Sequence, residues 1–166
     1  MEGGRMMLSD NVSAIKPVGE IEIIINYNDG REEERFIHNT VLRKGREALA
    51  ASLANEIGDA FDFYINNMLF GDGGTNSGVP KHVNSERNGL FGITRSTKSI
   101  IATIDPNTPS QVVFTSILGF DDANGYTINE MALQMNTGDF YSMATFADLG
   151  KTSSMQITWN WRLSFV

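Results

Sequence analysis

The clearest pattern along the chain is a strict alternation near its end. Met155, Ile157, Trp159, Trp161, Leu163 and Phe165 share one parity, and Gln156, Thr158, Asn160, Arg162 and Ser164 take the other. A strand with one buried face needs this period of two. Residues 128–135 alternate as well, with Met131, Leu133 and Met135 opposite Glu130 and Gln134. Turn residues at 136–139 lead to a returning strand over 140–146, and a second turn at 148–151 leads to the last strand. Together these three predict a meander. Residues 111–120 place Val112, Phe114, Ser116 and Leu118 on one face. Near the start, the isoleucine-rich run 20–27 is followed by Asn28, Asp29 and Gly30, then by residues 31–37. Asp-Gly between two such runs supplies the positive φ of a tight hairpin. The return strand opens Arg31-Glu32-Glu33-Glu34-Arg35, and charge of that density suits an exposed edge.

One helix is predicted over about 40–56. Asn39 or Thr40 is placed to cap it and Gly58 to end it. Leu42, Gly45, Leu49, Ser52, Leu53 and Ile57 recur at helical spacing. Gly45 either marks a close approach of the helix backbone to a sheet or is a tolerated poor helix former. Residues 61–70 read as a strand or strand pair, and 90–95 and 99–104 as two more strands. Between them, residues 71–89 form a long connection, with turn formers filling most of 71–80. Loops of that length are usually functional, partner-contacting or mobile. The count is about eight short strands with one packed helix, which favours a mainly β, antiparallel sandwich over a parallel α/β sheet. Residues 1–19 read as a flexible N-terminal arm and 20–166 as a single β-sandwich domain.

Charge and composition narrow the function. The chain has 166 residues, with 20 acidic against 13 basic side chains and a net charge of −7. Phosphate backbones call for a basic face, so nucleic acid is not an expected partner. No run approaches the roughly 18 apolar residues of a membrane span, and the first twenty residues lack a signal-peptide core. Cysteine is absent, which removes disulfides, zinc-thiolate sites and a cysteine nucleophile.

Candidate chemistry is sparse. Gly150-Lys151-Thr152 resembles the end of a phosphate-binding loop, but Thr145 stands where the motif needs glycine and a strand follows in place of a helix. Asp72, Thr75 and Asn76 could offer oxygens to a hard cation, as could Asp121 and Asp122, but neither spacing matches a calcium loop. Two histidines, His38 and His82, and no nucleophile elbow argue against a hydrolase. No cofactor is expected. Trp159 and Trp161 read as core residues. If a glycan binds, the candidates are Asp72, Asn76, His82, Tyr126 and Tyr141, together with Phe63 and Tyr64. Asn11-Val12-Ser13 matches a glycosylation acceptor and carries no weight without a secretory signal.

Several segments resemble tailed-bacteriophage virion proteins. Ile128-Asn129-Glu130-Met131-Ala132-Leu133 is similar to a strand of the form I-x-E-x-A/G-L. It is followed by Ala144-Thr145-Phe146, Lys151-Thr152 and a closing strand with Trp159 and Trp161. Residues 41–49 and Leu69-Phe70-Gly71-Asp72-Gly73 are similar to the helix and Gly-Asp-Gly turn that precede it there. The likeness spans about 39–166, and its motifs hold strands and turns with no catalytic content. It implies a non-enzymatic component of a tail, neck, collar or fibre, assembled in the bacterial host cytoplasm into the virion. The expected partners are copies of itself and other virion proteins, with a host-surface glycan as the alternative. The assembly candidates are Ile15 and Pro17 in the arm, Ile24 in a run apolar on both faces, and Phe165 and Val166 at the apolar terminus.

Overall fold

The computed structural model describes residues 17–54 and 63–165. Among these, the elements run β1 (Pro17–Tyr27), β2 (Glu32–His38), β3 (Thr40–Val41), α1 (Arg43–Leu53), β4 (Ile65–Gly71), β5 (Thr75–Asn76), β6 (Val79–Pro80), β7 (Thr94–Ser99), β8 (Ile101–Thr103), β9 (Gln111–Leu118), β10 (Thr127–Met135), β11 (Phe140–Gly150) and β12 (Met155–Phe165). Two five-stranded antiparallel sheets pack as a sandwich. The first has the order β2-β1-β12-β9-β8 and the second β3-β11-β10-β4-β7, while β5 and β6 form a separate small ribbon. The fold is mainly β with one helix, as the alternation predicts.

The core lies between the sheets. β1 contributes Ile21, Ile23 and Ile25, and β12 contributes the fully buried Trp159 and Trp161. Trp159 packs on Phe70 and Phe146 of the second sheet, with ring centroids 4.9 and 5.5 Å apart. The first hairpin turns at Gly30 with φ +88°. β2 is the outer strand of its sheet and exposes Glu32 and Glu34, so an acidic edge discourages unwanted pairing there.

The predicted meander is corrected. β10 and β11 pair as a hairpin, but β12 lies in the other sheet, between β1 and β9. The turn expected at 148–151 is absent because β11 runs on to Gly150, and residues 151–154 carry the chain across the core. Alternation reports that one face of a strand is buried and is silent on which sheet the strand joins.

β10 departs from its one-sided pattern too. Its register shifts between Ile128 and Glu130, and this bulge lets Ile128 and Met131 share the main core although they are three residues apart. Both faces of β10 are buried. Ala132 faces a second cluster with Leu42, Leu69, Val83, Phe140 and Met143.

The helix starts later than the sequence suggests. Thr40 and Val41 pair with Met143 and Ser142 as a short edge strand, which suits β-branched residues. Leu42 is then the N-cap and uses no side-chain cap. Two amides at the helix entry find carbonyls elsewhere: Leu42 N donates to Tyr141 O (2.9 Å) and Arg43 N to Ser85 O (2.8 Å). The strands expected at 90–95 and 99–104 are observed at Thr94–Ser99 and Ile101–Thr103. β1 begins at Pro17, so residues 17–19 belong to the sheet. Ile15, Val166, Gly58 and the rest of the expected arm lie outside the described residues.

Gly45 marks a close approach. A Cβ there would collide with the carbonyl oxygen of Tyr141. In an exposed helix Gly→Ala gains about 1 kcal/mol. Here backbone lies in the way, so Gly45→Ala is expected to cost about 1–3 kcal/mol net, as overpacked sites do. Urea unfolding of the variant measures the sign directly, and a gain would place α1 farther from β11 than described.

Candidate functional site: the clamped loop and the exposed surfaces

Loop 71–93 is built around two adjacent polar residues of β10. Glu130 is fully buried. Its Oε1 accepts from Gly73 N (2.9 Å) and Gly92 N (2.8 Å), and its Oε2 accepts from Phe91 N (2.7 Å). Asn129 Oδ1 accepts from Gly74 N (2.7 Å), while its Nδ2 donates to Thr75 Oγ1 (3.0 Å) and Asp148 Oδ1 (2.9 Å). Thr75 Oγ1 also donates to Asp148 Oδ1 (2.8 Å). The hydrogen bonds from Asn129 and Thr75 hold the Asp148 carboxyl below its usual range.

The glycines of this loop serve contact more than flexibility. A Cβ on Gly73 would strike Gly92, and one on Gly74 would strike the Asn129 carbonyl. Two passes of the chain thus touch backbone to backbone, which is possible only without side chains. Lys81 closes the ring, with Nζ donating to Gly73 O (2.7 Å) and its own carbonyl accepting from Thr145 Oγ1 (2.6 Å). Farther along the loop, Phe91 lies under the Arg87 guanidinium at 3.6 Å. Val83, Leu90 and Phe91 then cover the second cluster on the outside of β10 and β4. The long connection, expected to be functional, partner-contacting or mobile, is packed onto the sheet.

The glycan candidates do not form one site: Asp72 and Tyr126 meet at Arg95, while Phe63, Tyr64 and Tyr141 line a separate hollow. Asp72 is paired with Arg95 (2.5 Å), and its Oδ1 accepts from Ile93 N (3.1 Å). Tyr126 is partly exposed, with the Arg95 guanidinium 4.2 Å over its ring. Asn76 and His82 are exposed. Tyr141 corrects the expectation of a surface tyrosine: it is only 8% exposed, beside α1, and burial raises its phenol pKa. Asp122, a second cation candidate, binds Lys98 (2.5 Å) and accepts from Gly119 N (2.7 Å). Among the described residues, no group of three or more His, Asp or Glu gathers as a metal site.

Of the assembly candidates, Ile24 is half-buried on the outer face of the first sheet, between Glu34 and Thr158 in register. The Pro17 backbone pairs with Phe165, which is also half-buried. The most structured polar residues, Asn129 and Glu130, were not singled out from the sequence. Their signal was adjacency: with a period of two, neighbouring polar residues in an apolar strand point to opposite faces, so burial of both faces demands partners for both.

Lys151, weighed from the sequence only as part of a phosphate-loop-like triplet and a turn, is a buried corner residue. It is 1% exposed, and its Nζ donates to Asn124 Oδ1 and Thr152 O, each at 3.0 Å. It sits where the chain leaves β11 for the opposite sheet.

These features define an all-antiparallel sandwich whose buried polar side chains shape a loop and a corner. A family model described as phage tail-collar fibre protein, N-terminal, matches residues 39–162, and the chain belongs to that family. It is accordingly a structural protein of a phage tail and part of the virion. No curated protein and no solved structure matches it.

Two predictions follow from this geometry. Glu130→Gln turns an amide N–H₂ toward backbone donors and is expected to cost about 2–3 kcal/mol, the scale of an unsatisfied buried donor. The amides of Gly73, Phe91 and Gly92 should exchange faster in the variant, and unchanged protection would show that the clamp does not hold the loop.

The second concerns Lys151. Burial pushes its pKa below the ordinary 10.5, with Asp122 and Asp121 pulling back up. Between the lowered value and 10.5 the unfolded chain holds the extra proton, so this group's contribution to stability rises with pH across that window. Tyr141 acts oppositely: its pKa is raised above 10.0, and stability falls as pH climbs past that point. Comparing urea midpoints of the wild type and Lys151→Met at increasing alkaline pH cancels the tyrosine. The wild type should gain on the variant as pH rises, and a constant difference would contradict the burial effect.

Proposed function

We propose that this tail protein acts by subunit–subunit assembly, with the outer face of the first sheet as its main docking surface. One observation carries this reading: among the described residues, no element of the chain packs on that face. Rows set by the strand register cross it. One runs Phe36, Glu22, Asn160, Thr115 and Ile101, and the next runs Glu34, Ile24, Thr158 and Ile117. Phe36 is 56% exposed, and Ile101 and Ile117 are exposed too. Clustered apolar groups on a sheet face are what an interface covers.

Charge selects the partner. Glu20, Glu22, Glu32 and Glu34 share the face with Arg162, which is bound to Glu20 (3.2 Å). A hydrogen bond with Glu22, then burial and like charge, raise the Glu34 carboxyl pKa. Two copies meeting through this face would repel. The reading therefore favours a heterologous contact, to another virion protein or to a different surface of the next copy, presenting Lys or Arg beside apolar groups. A carbohydrate-binding tip on loop 71–89 draws less support, because Arg95 engages both Asp72 and Tyr126.

The test pairs Ile24→Lys with Phe36→Lys. Lysines beside Glu22 and Glu34 suit the isolated fold, so the melting temperature should hold. Incorporation of the variant into phage particles should fall by about tenfold or more, the loss expected from removing anchor residues. Wild-type incorporation would overturn the assignment of this face.

A further inference from the structure

A second apolar surface lies at one end of the sandwich and is independent of the outer face. Two adjoining hollows open there. One, of about 420 Å³, is lined by Val41, Arg46, Leu49, Ala50, Leu53, Tyr141 and Phe165. The other, of about 340 Å³, shares Leu49, Tyr141 and Phe165 and adds residues such as Phe63, Tyr64 and Leu163. Arg46 is the only charged side chain among the described residues that line them. Leu53, at the end of α1, is 83% exposed, although it lies on the apolar stripe of its helix. Among the described residues the groove is thus apolar and open, and it can be filled by an apolar strand or loop.

The start of β1 indicates which one. Pro17 pairs with Phe165, a residue common to both hollows. The chain upstream of Pro17 therefore begins at the lip of the groove. That segment is 16 residues long and carries Met6, Met7, Leu8, Val12 and Ile15. Ile15 has the parity of Ile21, Ile23 and Ile25, the inward-facing residues of β1.

We propose that the groove between α1 and the end of β12 seats the segment upstream of Pro17 of the same chain, with Ile15 in the hollow beside Phe165. The tether favours this occupant over a separate chain, because a segment joined at the lip faces an effective concentration in the millimolar range. Burial of Ile15 against Leu49, Tyr141 and Phe165 supplies the attraction. Docking would also cover Leu53.

Methyl NMR on the full chain tests the proposal directly. With Ile and Leu methyl groups labelled together, NOEs are expected from Ile15 to Leu49 and Leu53. In a mixture of chains labelled only at Ile with chains labelled only at Leu, the same NOEs should vanish. Ile15→Ala should shift the Leu49 and Leu53 methyl signals and leave those of Ile117, at the far end of β9, in place. Three outcomes overturn the proposal: no NOE from Ile15 to these methyls, NOEs that persist in the mixture and so come from a neighbouring copy, or NOEs from Ile57 in their place, which would assign the groove to the 55–62 connection. None of these bears on the outer face of the first sheet, so the two readings fail separately.

Discussion

The arrangement depends most on one carboxylate. Glu130 is removed from water in the middle of β10, and a charge in such a place is costly unless its oxygens are occupied. Three backbone amides from two separate passes of the chain occupy them. Each partner solves the other's problem: the amides of Gly73, Phe91 and Gly92 have no strand to pair with, and the carboxylate has no cation. The clamp draws loop 71–93 down onto the second sheet, where Val83, Leu90 and Phe91 close a second apolar cluster. β10 therefore has apolar packing on both faces, and the second sheet becomes a middle layer between the first sheet and the loop.

The crossing from β11 to β12 is the second polar construction. β11 ends at Gly150 in one sheet and β12 begins at Met155 in the other. Lys151 stands at the corner, and its main chain also bridges to the 119–126 connection: Gly125 N donates to Lys151 O, and Lys151 N donates to Tyr126 O, each at 2.9 Å. The side chain reaches Asn124. Asp122, in the same connection, is tied to Lys98 of β7. The corner is fixed by directional bonds, which set a path that hydrophobic packing alone leaves open.

What was legible in the sequence was what period and turn chemistry control. The six-residue alternation of β12, the Asp-Gly hairpin and its charged edge all stand where the pattern puts them. Gly45 stands at a close approach, one of the two readings its position allowed. What was not legible depended on contacts between distant segments. The pairing of β12 with β1 is decided by which sheet its buried face meets, and no local signal carries that. Residues 90–93 look like a strand because they are apolar, yet two of their amides belong to Glu130, forty residues away. Thr40 and Val41 look like a helix start, but an open edge on β11 offers them a ladder. Tyr141 follows a turn closely in sequence and lies against α1 in space.

This division also locates the surfaces available to partners. A polar group already holding its hydrogen bonds gains little from docking, since a partner can only exchange one bond for another. The loop end of the molecule is of that kind, with Asp72, Asn129, Glu130, Lys81 and Arg95 all engaged internally. An exposed apolar side chain gains the full transfer free energy on being covered. Phe36, Ile101 and Ile117 on the first sheet, and Leu53 at the groove, are of this second kind. The two surfaces differ in how they select an occupant. The sheet face is acidic, and in the proposed assembly it would repel its own copy and so discriminate between partners by charge. The groove carries almost no charge, and in the proposed docking proximity to the start of β1 would decide what fills it. In a protein that works as a tail component, a core with its polar groups internally satisfied would, on the reading proposed above, leave the choice of neighbours to the outer face of the first sheet.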